Sequence, residues 1–446
     1  MAAVEVAKRL KARTVLVIAP VNTFDTWAET FTRQKFEHPV HVIKNTKAGR
    51  AAYARLLAGE PGAYIIGTQM FALSATYRPP NPEFIVKNGQ RKPHPAAGKG
   101  ERKKWTSWTR VSKVLDLAVL DESHKASNRN SLMFSVLKNL RPKVKLAMSA
   151  TPMGNNFEGI WAPCRWLWPD HEDIVPQSFW KWAARNCKVE KNPHGTDEHS
   201  KRVVGEKVPG RFVKTLPCYL YYKAPKKPTD TLRVHVELTP AQRKMYDDME
   251  QLSIAWLNEH PLIVDLPLVQ KIRLRQMALG EVTLTPDGEV DFAPDCASSK
   301  IDACEKIIAR HPGEQIVFFV DSQRFARVLA HRLGPEAAEW SGVVSAKNRA
   351  RIKADFLDGA TRYLVATIAS VGTGTDLLQT VCHTEVWVNK SFDGVANEQA
   401  EGRLNRTGQQ AARITRYELV ASKSDDAKYL DRLVQQTRAN MASLHL

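Results

Sequence analysis

The chain has 446 residues, 43% of them hydrophobic; that suffices for the cores of about two or three domains, and no apolar run is long enough to cross a bilayer as a helix. Lys and Arg outnumber Asp and Glu by 65 to 47, a net charge of +18, which favours a polyanionic partner, nucleic acid first, over a generically basic soluble protein. Six cysteines without a C-x-x-C pair, and a start (MAAVEV) without the apolar core of a signal peptide, argue for a reducing, cytoplasmic setting and against a disulfide scaffold or zinc site.

Residues 4–11 have helical spacing, with Val6 and Leu10 on one face. Residues 14–19 (TVLVIA) read as a buried strand closed by Pro20, and residues 19–27 as a strand-to-helix crossing at the sheet's carboxyl edge. Residues 64–68 (YIIGT) form a second strand, and a helix starts at Gln69. Residues 78–110 carry nine Lys or Arg against two Glu, with many Pro and Gly, so they cannot form a core and read as a surface insertion. Its cations, with Trp105 and Trp108, suit a DNA-contacting loop; a solvated insertion anchored by the two Trp is the alternative.

The stretch VLDLAVL (114–120) ends abruptly in Asp121-Glu122-Ser123-His124. A buried parallel strand that delivers two acids to the carboxyl edge of a sheet places them where ligands bind in open α/β folds. There the first acid can hold Mg²⁺, usually through water, and the second can polarise an attacking water; a plain helix cap is the alternative. A helix over 131–140 leads to the strand 144–148 (VKLAM), which ends in Ser149-Ala150-Thr151-Pro152, hydroxyls able to bond the acid pair; Asn155 and Asn156 follow in a turn. The tryptophans at 161, 166, 168, 180 and 182 read as helix core.

A Pro-Lys stretch at 214–227 marks the first domain boundary. Thr239 before Pro240 is a helix start, and helices run to about residue 279. From Lys300 the α/β pattern resumes, with strands at 315–320, 363–368 and 385–389 and a terminal helix at 425–441. The expected fold class is α/β: two parallel-sheet lobes, residues 1–215 and 296–446, joined by a helical connection at 216–295. In the second lobe a glycine-rich turn (369–377) follows a strand, and Arg403 and Arg406, spaced i, i+3, can point from one helix face at a γ-phosphate.

Taken together, the ordered motifs resemble a superfamily-two helicase-like ATPase of the Swi/Snf type, the group of chromatin remodellers and their bacterial and phage relatives. Asp121–His124 is similar to its Walker B box, Ser149–Pro152 with Asn155 to its coupling motif, and residues 399–409 follow QAxGRxxRxGQ at every fixed position. The resemblance implies two RecA-like lobes that use ATP and Mg²⁺ to step along double-stranded DNA. It implies Asp121 on the metal, Glu122 on water, Arg403 and Arg406 on the phosphate, and Gln399, Gly374 and Asp376 on the nucleotide. It implies coupling through His124, Ser149, Thr151 and Asn155, and DNA contacts by Thr68, Lys103 and Lys104. The family's phosphate-cradling loop, G-x-x-x-x-G-K-S/T, is absent, and Gly98-Lys99-Gly100 lacks its hydroxyl, strand and order. The first lobe is therefore expected to start just past that loop, and a polypeptide of these residues alone to bind ATP weakly and hydrolyse it poorly. An upstream polypeptide would supply the loop, as in a split helicase. A non-catalytic DNA-binding pseudo-ATPase and the motor subunit of a restriction or repair complex are the other readings.

Overall fold

The structure, a computed structural model, describes residues 2–74, 84–87, 90–93, 107–192, 200–222, 225–257, 260–264, 267–371 and 376–444. Of the expected site residues, Lys103, Lys104 and Gly374 lie outside these residues, as does most of the basic insertion. The chain divides into two compact units, Met1–Tyr219 with Asn440–Leu446, and Leu220–Ala439. Among the described residues no helix is long and apolar enough to cross a membrane.

The first unit is built on β1 (Thr14–Ala19), β2 (Val40–Ile43), β3 (Gly62–Gly67), β4 (Leu117–Leu120) and β5 (Val144–Ala147), in the order β2-β3-β1-β4-β5. Every neighbouring pair is parallel. The three central strands are buried along their whole length, so their side chains alternate between two cores. Leu16, Ile18, Tyr64 and Leu120 enter one with Phe71 and Trp108; Val15, Val17, Ile65 and Val119 enter the other with Val4, Trp27 and Phe31. Register sets the working edge: Ile18 faces Leu120 and Leu120 faces Ala147, so the residues after β1, β4 and β5 emerge side by side.

Beyond β5 the tryptophans split. Trp161 and Trp182 pack with Phe157, Phe179 and Phe212, and Trp166 packs under the sheet, whereas Trp180 stays 43% exposed. An antiparallel hairpin, Cys187–Lys191 with Lys201–Glu206, then stands where the sequence suggested no strand.

In the second unit the strands are β6 (Thr229–Val236), β7 (Ile316–Val320), β8 (Ala337–Trp340), β9 (Tyr363–Thr367), β10 (Thr384–Trp387) and β11 (Ile414–Ala421). Their order is β6-β11-β10-β7-β9-β8, again all parallel. Two parallel-sheet α/β units are thus present, as the alternation of strands and helices predicts. Within Leu220–Ala439, residues from the stretch read as a connection share the sheet's core: Val236, Tyr246, Met249, Leu274 and Met277 pack with Phe318, Val320 and Phe325. The helix Pro240–Leu252 opens with a capping box between Thr239 and Gln242, as Thr239-Pro240 predicts. Gln242 is fully buried and donates to the Met277 carbonyl at 3.0 Å, which ties this helix to the helix Pro267–Leu279.

Candidate functional site

In the first unit the site grows from the carboxyl ends of β1, β4 and β5. The Asp121 amide donates to the Ile18 carbonyl and the Ser123 amide to the Met148 carbonyl, both at 2.9 Å, so the acid box is stitched to the strands on either side. One Asp121 oxygen accepts from Trp27 Nε1 at 2.9 Å and the other from the Glu122 amide at 3.0 Å. Burial pushes the Asp121 carboxyl upward; the indole bond pulls it back, and the Glu122 charge raises it again. Trp27 was not foreseen as part of the site. Its signal was present in the helix Phe24–Arg33, whose apolar face of Phe24, Trp27 and Phe31 buries an indole N–H that must find an acceptor.

Glu122 adopts a left-handed backbone (φ 52°, ψ 54°), a conformation that costs a non-glycine residue about 1 kcal/mol or more and concentrates at functional turns. The reversal brings Glu122 Oε2 to 3.2 Å from His124 Nδ1. The same nitrogen lies 3.0 Å from Ser149 Oγ and 3.4 Å from Thr151 Oγ1, and the Thr151 amide donates to Ser149 Oγ at 3.0 Å. Glu122, His124, Ser149 and Thr151 therefore form one close polar cluster that joins the end of β4 to the end of β5, with the His124 ring hydrogen-bonded to the Ser149 side and Glu122 in ion-pair range of the same nitrogen. Asn155 is exposed and lines an adjacent cavity of about 350 Å³ with Asn156, Asn128 and Arg129. Thr68 is half-buried and starts the helix Thr68–Ser74 at the carboxyl end of β3.

In the second unit Arg403 and Arg406 converge on one carboxylate oxygen: Asp376 Oδ1 lies 3.3 Å from Arg403 Nη1 and 2.6 Å from Arg406 Nη1. The i, i+3 helical placement is corrected here. The helix Gly394–Glu401 ends before both arginines, which sit in the turns that follow, and Asp376 gives them their common direction. Gln399 is half-buried on the last turn of that helix.

What anchors the turns is a charge network that sequence reading missed. Glu401 accepts from Lys390 Nζ at 3.0 Å and forms an ion pair with Arg416 Nη1 at the same distance. Arg416 Nε also bonds the fully buried Glu385, and Lys390 Nζ lies 3.3 Å from Glu418. Burial would raise the Glu401 carboxyl, but Lys390 and Arg416 outweigh it and hold it below the usual range. Asn405 exchanges bonds with the Lys227 backbone at 2.8 Å in both directions, and Gln409 Nε2 donates to the Cys382 and Leu404 carbonyls at 3.0 Å. Of the 399–409 run, Glu401, Asn405 and Gln409 are thus scaffold beneath the two arginines.

The chemistry of the first-unit site suits a hard cation. Mg²⁺ is typically held by only one or two protein carboxylates, with water and substrate oxygens completing the shell, and Asp121, oriented by Trp27 beside Glu122, is a donor of that kind.

An acid box bonded to hydroxyls one strand away, in a chain that repeats the parallel α/β unit and carries two arginines on a shared acid in the second, belongs to the class of helicase-like ATPases. The chain is a member of the SNF2-related family: the SNF2-related domain matches residues 3–278, and the helicase conserved C-terminal domain matches residues 299–408. It is 20% identical to the ISWI chromatin-remodeling complex ATPase ISW1 of Saccharomyces cerevisiae, over 95% of this chain and 35% of that protein. It is 22% identical to the uncharacterized ATP-dependent helicase YqhH of Bacillus subtilis, over 66% of this chain and 54% of that protein. Among solved structures it is similar to the Sulfolobus solfataricus SWI2/SNF2 ATPase core in complex with dsDNA, at 16% identity and a TM-score of 0.35, covering 99% of this chain and 86% of that one. The chain thus spans between a third and just over half of the two curated relatives' lengths.

Proposed function

We propose that the chain is the motor core of an ATP-driven translocase that moves on double-stranded DNA. The observation that carries this reading is the Glu122–His124–Ser149–Thr151 cluster at the carboxyl edge of the first sheet. In this reading Asp121, held in place by Trp27, would bind Mg²⁺, which when present supplies positive charge to the phosphates. Glu122 orients the attacking water. A change in the position or charge of Glu122 on phosphate loss is felt by His124, 3.2 Å away, and passes on to the Ser149 and Thr151 hydroxyls, and so from β4 to β5. Arg403 and Arg406 exchange Asp376 for phosphate oxygens and stabilise the charge that develops on the transferred group. Gln399 and Asp376, with Gly374, border the nucleotide, and Asn155 joins the coupling set. The net charge of +18 and membership of a family that includes a chromatin-remodeling ATPase support DNA as the track, with Thr68, Lys103 and Lys104 as contacts.

Substituting Glu122→Gln removes the carboxylate while keeping shape and DNA contacts. With a polypeptide that supplies the phosphate-cradling loop present, steady-state ATP hydrolysis on duplex DNA is expected to fall by about 10²–10⁴-fold with DNA affinity unchanged. Hydrolysis at the unsubstituted rate would reject the reading.

A second reading is a DNA clamp that does not hydrolyse ATP. Arg403→Ala separates the two. A translocase loses turnover and keeps DNA affinity, whereas a clamp has no turnover to lose and binds DNA alike with or without ATP.

A further inference from the structure

A second cavity, about 800 Å³, opens in the first unit between the helix Phe179–Asn186 and the hairpin Cys187–Lys191/Lys201–Glu206. Trp180, Val189, Lys188, Lys201 and Lys207 line it, and among the described residues none of the lining is acidic. Trp180 is 43% exposed and Val189 37%, so the floor is an apolar surface that the core does not cover. The Trp180 ring is nonetheless fixed. It meets Phe179 edge-on at 5.1 Å, and the Arg129 guanidinium lies 5.5 Å from its centroid.

Among the described residues the rim is positive, and the acids of the hairpin strands are already engaged. Glu190 pairs with Arg202 at 3.2 Å. Glu206 is buried and accepts from the Gly210 and Phe212 amides at 2.9 and 2.8 Å. Lys188 and Lys201 are exposed and make no ion pair among the described residues, and Lys207 reaches the Ala184 carbonyl. Seven of the eleven hairpin positions are exposed, while Cys187 and Val203 tie the hairpin to the core beneath, so its outer face stands as a basic wall.

We infer that this cavity binds single-stranded nucleic acid: a base stacks on Trp180, and the flanking phosphates meet Lys188, Lys201 and Lys207. A held aromatic ring inside a ring of cations is how sequence-tolerant single-strand sites are built. A concave site of this volume admits a splayed base, whereas in a duplex the base faces cover one another and cannot reach a ring on the floor. The proposal does not depend on ATP chemistry. It adds to a duplex-tracking motor a place where an unpaired strand is held.

The test is fluorescence anisotropy of a labelled short oligo(dT), with a hairpin duplex as comparison, using the full chain without nucleotide. Stacking contributes about 1–3 kcal/mol per base, so Trp180→Ala should weaken oligo(dT) binding by about 5- to 150-fold, and Trp180→Phe by much less. Lys188→Gln with Lys201→Gln should lower the slope of log K against log salt by about 1.4, two phosphates at roughly 0.7 each. Duplex binding should be unchanged in all three variants. Equal oligo(dT) affinity in Trp180→Ala and the unsubstituted chain, or equal losses on oligo(dT) and duplex, would overturn the assignment. A loss on oligo(dT) in the Ala variant that leaves its duplex binding intact cannot come from misfolding.

Discussion

At the scale of single residues, acids do unlike work at opposite ends of the first sheet. Asp121 at the carboxyl end is held by one indole and its own turn, and burial raises its carboxyl. Asp116 sits just before β4, at the amino end, and is saturated with donors: the Arg13 and Thr14 amides at 2.9 and 3.1 Å, the Thr14 hydroxyl at 3.2 Å, and Lys143 Nζ at 2.7 Å. Burial would raise the Asp116 carboxyl, but Lys143 and the amides more than offset it, and it lies below the usual range. A carboxyl depressed in the folded state binds fewer protons there than in the unfolded chain, so its stabilisation is present above the ordinary carboxylate pKa and drains away as pH falls through the lowered value. Asp116→Asn should therefore lower stability at pH 7 and flatten the acid limb below about pH 4, where the unfolded chain protonates first. Urea titrations at pH 7 and pH 3 measure this; an equal loss at both would show that the Asp116 charge contributes nothing. Of these two acids, the sequence exposed Asp121, because it ends an apolar run. It hid Asp116, inside VLDLAVL, because one polar residue in a buried strand reads as noise until the register of its neighbours is known.

At the scale of elements, legibility mostly followed burial; half-buried β5, read from its VKLAM run, is an exception. The central strands β1, β3, β4, β7, β9 and β10 are buried throughout and appear as apolar runs. The strands missed from sequence lack that signature. Edge strand β6 exposes most of its side chains, and β2 and β8 are mostly half-buried. Strand β11 is largely buried, but it carries Arg416 and Glu418, whose charges belong to the network beneath the arginine turn. That network is a set of long-range pairs, Lys390 with Glu401 and Arg416 with Glu385, and no spacing rule announces it. It also makes the sharpest element-level forecast. Arg416 is the cation against a Glu385 side chain that is 1% exposed. Removing one member of a buried pair leaves an uncompensated charge and costs about 3–5 kcal/mol, whereas replacing both with apolar groups of like volume is close to neutral. Arg416→Met should thus destabilise the second unit by that amount, and Arg416→Met with Glu385→Leu should recover most of it. Chemical denaturation reads both, and a double variant no better than the single would show that the network acts through geometry and not through charge balance.

At the scale of the whole chain, phosphoryl transfer supplies the final forecast. There is little covalent chemistry for the protein to perform, so catalysis rests on positioning and on charge. Two of the needed charge sets are present: the acid pair Asp121 and Glu122 in one unit, and Arg403 and Arg406 on Asp376 in the other. The third, a lysine with a cradle of backbone amides in the form G-x-x-x-x-G-K-S/T, does not occur in these 446 residues. Without it the β- and γ-phosphates lose their principal ligands. A purified polypeptide of these residues is therefore expected to bind ATP weakly, with turnover far below the roughly 1–10³ s⁻¹ of ordinary enzymes, even with saturating duplex DNA. A polypeptide that supplies the loop, joined upstream or added in trans, should raise turnover, and Arg403→Ala or Glu122→Gln should abolish the gain. Each outcome has its own meaning. Robust DNA-stimulated hydrolysis by the 446 residues alone would mean that another set of donors replaces the loop. A rise on adding the loop that survives Arg403→Ala would remove the arginine pair from the reaction. A rise that needs both Arg403 and Glu122 would tie the two units to a single chemical step.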